Sequence, residues 1–301
     1  TDFAVLSVCY RKNMWFCGIL YGAGICLHHI LTPLINSLAT ETINQGKQLN
    51  YGAARAVGSI GYAAVAYSLG ALTVRMGSNA VPVVILIALI GLEIALFLFP
   101  FEKRILEKEH QAYNGVSGLA FFKRYKRYTF VLAGCILMFI GHIFINNYTL
   151  QVVQLKGAGT SEMGVAQAIA AVAELPVMFL FGWMLKKADS RSWVKISGIF
   201  FSVKIIASYL APNMPVFYGV QLFQMFGWGL LTVASVFYVN SIMEDSDKIK
   251  GQAYYTMTFT IGTVLGSLLG GVILDHFDAG VMLIAGAVIS VFGSLIVFFG
   301  A

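Results

Sequence analysis

Long apolar runs separated by short polar breaks dominate this chain from one end to the other. A run of about 20 apolar residues crosses a hydrocarbon core of about 30 Å as a helix. Nine such spans are predicted, over residues 14–37, 54–75, 79–100, 128–153, 163–185, 194–211, 216–242, 252–274 and 279–301. A transmembrane β-barrel would show runs of about ten residues in strict alternation. None occur, so the expected class is an all-α membrane protein.

Composition agrees: 58% of the 301 residues are hydrophobic and 11% charged, with a mean hydropathy of +0.78. These values exclude an ordinary soluble globule. The longest polar break, 101–127, separates three spans from six and sets the expected domains: 1–100, a central loop 101–127, and a six-helix bundle 128–301. Lys103, Arg104, Lys108, Lys123, Arg124, Lys126 and Arg127 lie in that loop, Lys186, Lys187, Arg191 and Lys195 two crossings on, and Lys248 and Lys250 after two more. The intervening loops carry Arg11, Lys12, Arg75 and Lys156. Basic loops stay on the cytoplasmic side, so the central loop and the carboxyl end are expected there, in a cell (inner) membrane. The net charge of +6 is therefore a topology signal and gives no reason to expect nucleic acid as a partner. The first residues lack the basic, apolar and small-residue succession of a signal peptide. Cys9, Cys17, Cys26 and Cys135 have no CxxC spacing and read as buried free thiols, with no metal or other cofactor implied.

Three charges interrupt the apolar runs: Arg55 at the head of one, Glu174 in the middle of another and Lys204 in the middle of a third. An ionised side chain at bilayer depth costs at least about 2.5 kcal/mol, so such residues usually face a protein cavity. Other readings remain open at each: Arg55 reaching phosphate headgroups, Glu174 in a structural salt bridge, and Lys204 snorkelling outward. Glu174 has Pro176 two residues on, which removes a backbone hydrogen bond in its turn. Asn36, Asn146, Asn147, Gln151, Gln221 and Gln224 are costly against lipid and outline a cavity for a small polar solute. Tyr62, Trp228, Tyr254 and Tyr255 offer rings for stacking on such a solute, or simply pack. His142 is a further candidate for proton traffic, as are His28 and His29. Gly262, Gly266 and Gly270 form small-xxx-small steps for close helix contact. Glu244-Asp245-Ser-Asp247 is a weak pointer to a metal-dependent membrane enzyme.

Tyr51-Gly-Ala-Ala-Arg55-Ala-Val-Gly58-Ser-Ile-Gly61-Tyr, preceded by Pro33-Leu-Ile-Asn36, resembles the fourth-to-fifth helix region of the major facilitator superfamily. The similarity is to the branch of oligosaccharide:proton symporters, with lactose permease, and of phenylpropionate permeases. Ala173-Glu174-Leu-Pro176 resembles that branch's eighth helix and Ser202-Val-Lys204-Ile-Ile-Ala-Ser208 its ninth. Gly251-Gln-Ala-Tyr-Tyr255 and Gly266-Ser-Leu-Leu-Gly270-Gly resemble its eleventh. The resemblance implies helices four to twelve of a twelve-helix fold, with the first three absent from this fragment. Residues 1–100 would then be the remainder of an N-terminal bundle.

It further implies roles: Arg55 anchors substrate, Glu174 contacts substrate and carries a proton, and Lys204 stands where the branch has an Arg linked to the proton step. The branch's His and Glu on the tenth helix correspond here to Gln224 and Gly227, which cannot titrate. Proton coupling is therefore expected to rest on Glu174, Lys204 and His142, and substrate binding on Arg55, Glu174, Asn36, Tyr62, Asn147, Gln151, Gln224 and Trp228. The expected function is proton-coupled symport of a sugar, oligosaccharide, nucleoside or aromatic acid by a monomer, without enzymatic activity. The alternatives are a receptor or sensor on a transporter fold and a membrane-embedded enzyme.

Overall fold

The computed structural model describes residues 51–77, 80–98 and 118–301, together with a few positions between 15 and 23; the side chains of 51–55 and of 245 are excepted. Among the described residues there is no strand, and eight helices are long and apolar enough to cross a membrane. Most of the predicted span 14–37 lies outside the described residues.

The helices are α1 (Tyr51–Met76), α2 (Ala80–Leu98), α3 (Leu119–Arg124), α4 (Lys126–Asn146), α5 (Thr149–Gln154), α6 (Thr160–Met184), α7 (Ser190–Leu210), α8 (Met214–Gln221), α9 (Leu230–Ile242), α10 (Asp245–His276) and α11 (Ala279–Gly300). A 3₁₀ turn, Leu222–Gln224, and a π-helical turn, Met225–Gly229, join α8 to α9 as one interrupted span. The chain forms two compact units, one of residues 1–54 and 71–110 and the other of 55–70 and 111–301. Among its described residues the first contains α2, whose side chains are mostly exposed, a surface suited to lipid or partner helices.

The second unit contains the central part of α1 and everything from α3 onward. Short connections between its helices are fixed by side-chain caps. Asp189 Oδ1 accepts from the Ser192 backbone N–H at 3.0 Å, Asn213 Oδ1 from Val216 at 3.1 Å, and Asp278 Oδ1 from Val281 at 2.9 Å. Each satisfies one of the four backbone donors a helix start leaves unpaired. Apolar length alone does not mark these ends, which accounts for two corrections. The span predicted as 128–153 stops at Asn146, where a turn at Asn147 and Tyr148 leads into the separate α5. The one predicted as 252–274 begins at Asp245 instead, with its first charged residues already helical.

α4 packs against α10 and α11, and α7 against α11 and α9. Glycines allow the closest of these contacts. A Cβ added at Gly134 would stand 2.7 Å from the carbonyl oxygen of Gly293, and one at Gly141 would stand 2.9 Å from that of Gly286. The Gly262, Gly266 and Gly270 stripe of α10 lies against Phe139, Ile143 and Tyr148, as small-xxx-small spacing predicts. The buried apolar side chains fall into two clusters. One, around Phe139, Phe181, Leu231 and Tyr238, fills the end where α4 and α7 begin; the other, around Phe144, Phe217, Met282 and Leu283, fills the opposite end. Buried polar side chains, among them Glu174, Lys204, Gln224, Ser202 and Ser290, lie between them.

Candidate functional site

The polar layer is organised around one glutamine. Lys204 Nζ on α7 donates to Gln224 Oε1 at 2.5 Å, and Gln224 Nε2 donates to Glu174 Oε1 on α6 at 3.0 Å. All three are buried, at 4%, 5% and 8% exposure for Lys204, Gln224 and Glu174. Their burial overturns an outward-snorkelling Lys204. Lys204 and Glu174 form no direct ion pair with one another; the amide stands between them. The amide dipole is aligned for this task, with its oxygen toward the ammonium and its nitrogen toward the carboxylate.

Local backbone explains why Gln224 reaches both partners. It ends the 3₁₀ turn and precedes the π turn, and such departures from α-helix re-aim side chains and often mark functional sites. The π turn is held by Ser197, whose hydroxyl donates to the Gly227 carbonyl at 2.9 Å. It approaches α6 closely at Gly229, where an added Cβ would lie 3.2 Å from Cα, Cβ and Cγ of Glu174. Pro176 leaves the Val172 carbonyl without its helical donor in the same region.

Glu174 opens onto a cavity of about 390 Å³, within the range of small-molecule sites. The central part of α1 supplies Gly58, Ser59 and Tyr62 to its wall, and other helices supply His142, Asn146, Gln167, Gln224, Trp228 and Phe259. Ser59 Oγ donates to Glu174 Oε2 at 3.5 Å, and Tyr62 donates to Gln167 Oε1 at 3.4 Å. Gln167 Nε2 in turn donates to Thr149 Oγ1 at 2.8 Å. The His142 ring stacks on Trp228, with centroids 5.1 Å apart and planes 7° from parallel, and its Nε2 accepts from Asn146 Nδ2 at 2.7 Å. The wall thus combines an acid, neutral donors and acceptors, and a flat aromatic pair.

Of the predicted site residues, Glu174, Gln224, Tyr62, Trp228 and His142 meet at this cavity, and Lys204 joins through Gln224. Asn147 and Gln151 do not line it. Asn147 is exposed and donates to Ser267 Oγ at 2.8 Å, while Gln151 Oε1 is buried without a hydrogen-bond partner among the described residues. Tyr254 packs on Phe121 and Phe122 at the end of the bundle. Asn36, His28 and His29 lie outside the described residues, as does the side chain of Arg55. Position 55 is four residues before Ser59 and seven before Tyr62 on α1, a register shared with the cavity wall. Glu244 and Asp247 of the acidic run face Arg124: Glu244 forms an ion pair with it and Asp247 lies 3.8 Å away.

Ser59 and Gln167 were not singled out by sequence reasoning. For Gln167 a signal existed: it precedes Glu174 by seven residues, two turns along one helical face.

Eight membrane-length helices among the described residues, together with a polar cavity in the second unit that carries a buried acid, define a multi-pass membrane protein of transporter type. The model of the MFS_1 like family matches residues 2–285. The chain belongs to that family and is a membrane transporter of the major facilitator superfamily, with its all-α fold. No curated protein matches the chain.

Proposed function

We propose that this transporter is a proton-coupled symporter of a small polar solute, a sugar, oligosaccharide, nucleoside or aromatic acid, working by alternating access as in the symporter branch of its superfamily. The observation that carries the reading is the Glu174–Gln224–Lys204 chain at the edge of a solute-sized cavity. A deprotonated Glu174 is held toward Lys204 through the aligned amide. When a proton adds to a Glu174 oxygen, its charge and the attraction across Gln224 are lost, and α6 and α7 are released from one another at this level. Solute hydroxyl or carboxylate groups meet Ser59, Tyr62, Gln167 and, in this reading, Arg55, while a ring lies against Trp228. Binding of solute and proton thus bias one rearrangement, which is the thermodynamic content of coupling. The proposed setting is a monomer in a cell (inner) membrane, with residues 101–127 and the carboxyl end on the cytoplasmic side, between amino-terminal helices and a bundle of 128–301.

Uptake into proteoliposomes tests the reading, with candidate solutes screened with and without an inward proton gradient. Glu174→Gln is expected to abolish gradient-driven accumulation and to leave solute exchange in place. Accumulation at the wild-type rate by Glu174→Gln, or no gradient dependence for any transported solute, sinks proton coupling.

A further inference from the structure

A second cavity, of about 280 Å³, opens at the end of the bundle where α4 and α7 begin and α9 and α11 end. Its wall includes Arg124, Lys126, Arg127, Arg191 and Tyr238, and it shares no residue with the Glu174 cavity. Arg124 is engaged by Glu244 and Asp247, and Tyr125 donates to Asp247 Oδ2 at 3.1 Å. Lys126, Arg127 and Arg191 form no ion pair with a described carboxylate. The nearest acid in sequence to Arg191, Asp189, directs its carboxylate to Ser192.

The floor of this cavity is aromatic. Tyr128 donates to the Gly251 carbonyl at 2.8 Å. The Tyr238 side chain, 4% exposed, makes no hydroxyl hydrogen bond to a described residue, although Arg127 and Arg191 both lie near enough to act on it electrostatically. The Tyr238 hydroxyl thus offers an unused donor at the cavity, beside the exposed guanidinium groups of Arg127 and Arg191. An oxyanion suits this set of donors, since guanidinium forks fit phosphate oxygens and the phenol donates to another. Beside the cavity, Gly300 of its wall packs on Phe130, and Phe130 and Phe299 are 65% and 81% exposed. Apolar surface thus continues from the basic pocket along the outside of α4 and α11, where acyl chains lie in a membrane.

We propose that this pocket binds the phosphate of an anionic phospholipid, with Arg127, Arg191 and Tyr238 holding its oxygens and the acyl chains running over Phe130 and Phe299. The site is separate from solute transport and binds whether or not the transporter is proton-coupled.

Native mass spectrometry of the full chain, released from phosphatidylcholine vesicles containing phosphatidylglycerol, tests the assignment. The wild type is expected to retain phosphatidylglycerol in preference to phosphatidylcholine. Arg127→Gln with Arg191→Gln should lower that preference on the order of tenfold. Tyr238→Phe should lower it by a smaller factor, in a chain that unfolds close to the wild-type temperature. Should the double variant fail to fold, Arg191→Gln and Tyr238→Phe decide by the same comparison. A parallel titration with inorganic phosphate separates the sources of the oxyanion. Phosphate binding at this pocket without retained phosphatidylglycerol overturns the lipid, and equal retention by wild type and all variants overturns the pocket.

Discussion

Gln224 shows how much one side chain decides here. Replacing it by Leu removes both the acceptor for Lys204 and a donor to Glu174, leaving two buried ionisable groups without their bridge. Losing such partners costs about 2 to 4 kcal/mol, so Gln224→Leu should lower the unfolding temperature in detergent well beyond a surface substitution. A variant as stable as wild type would show that the bridge contributes nothing. Asp189 gives a pH-dependent case at the membrane surface. Hydrogen bonds from the Ser192 hydroxyl, and then from its backbone N–H, hold the Asp189 carboxyl below its usual value of 3.8. A carboxyl lowered on folding stabilises the native state above its unfolded pKa and loses that contribution as pH falls through the folded one. Asp189→Ala should therefore cost about 1 kcal/mol at neutral pH. The gap to wild type, followed by thermal unfolding, should close as pH drops below 3.8. The two sites differed in legibility. Glu174 and Lys204 stood out because a charge in an apolar run is costly enough to demand a reason. Gln224 stood out as a cavity residue and as a lost titratable group but not as a bridge, since the bridge depends on distances between three helices that no local pattern encodes.

Among the elements, the spans were legible because bilayer thickness imposes their length on the sequence. Their interruptions were not. Asn146, Asn147 and Tyr148 end α4 inside an apolar run, and the 3₁₀ and π turns at 222–229 lie within a single membrane-length span. In both places the backbone departs from α-helix for tertiary partners, Ser267 with Asn147 and Ser197 with Gly227. Glycine spacing was readable on α10, yet the tightest pairs lie on α4 and α11. Gly134 and Gly293 approach so closely that an added Cβ at either meets the other's carbonyl oxygen at 2.7 Å, where backbone and not a flexible side chain must give. Gly293→Ala is therefore expected to destabilise the second unit by about 1 to 3 kcal/mol, as overpacking does. Gly182→Ala, with open space at its Cβ position, serves as the control and should leave the unfolding temperature at or slightly above that of wild type.

For the molecule as a whole, the alternation of helices from α4 to α11 sorts the connections into two sets. One end carries Lys126, Arg127, Lys186, Lys187, Arg191, Lys195, Lys248 and Lys250; the other, formed by 147–159, 211–213 and 277–278, carries Lys156 as its only Lys or Arg. Lys156 is itself turned inward, with Nζ donating to the Ala211 carbonyl at 2.6 Å, and desolvation lowers its pKa from the ordinary 10.5. Even that charge is drawn onto the protein and away from the lipid surface, which sharpens the asymmetry. Retention of basic segments on the cytoplasmic side then predicts the orientation. Cysteines placed singly at the exposed positions 187 and 154, in a chain whose native cysteines are replaced by Ser, should react differently with a membrane-impermeant maleimide added to intact cells. Gln154→Cys should label at once and Lys187→Cys only after the membrane is opened. The reverse pattern would invert the protein in its membrane, and the anionic-lipid pocket would then face the opposite leaflet, a change that lipid retention in symmetric vesicles cannot detect and labelling can.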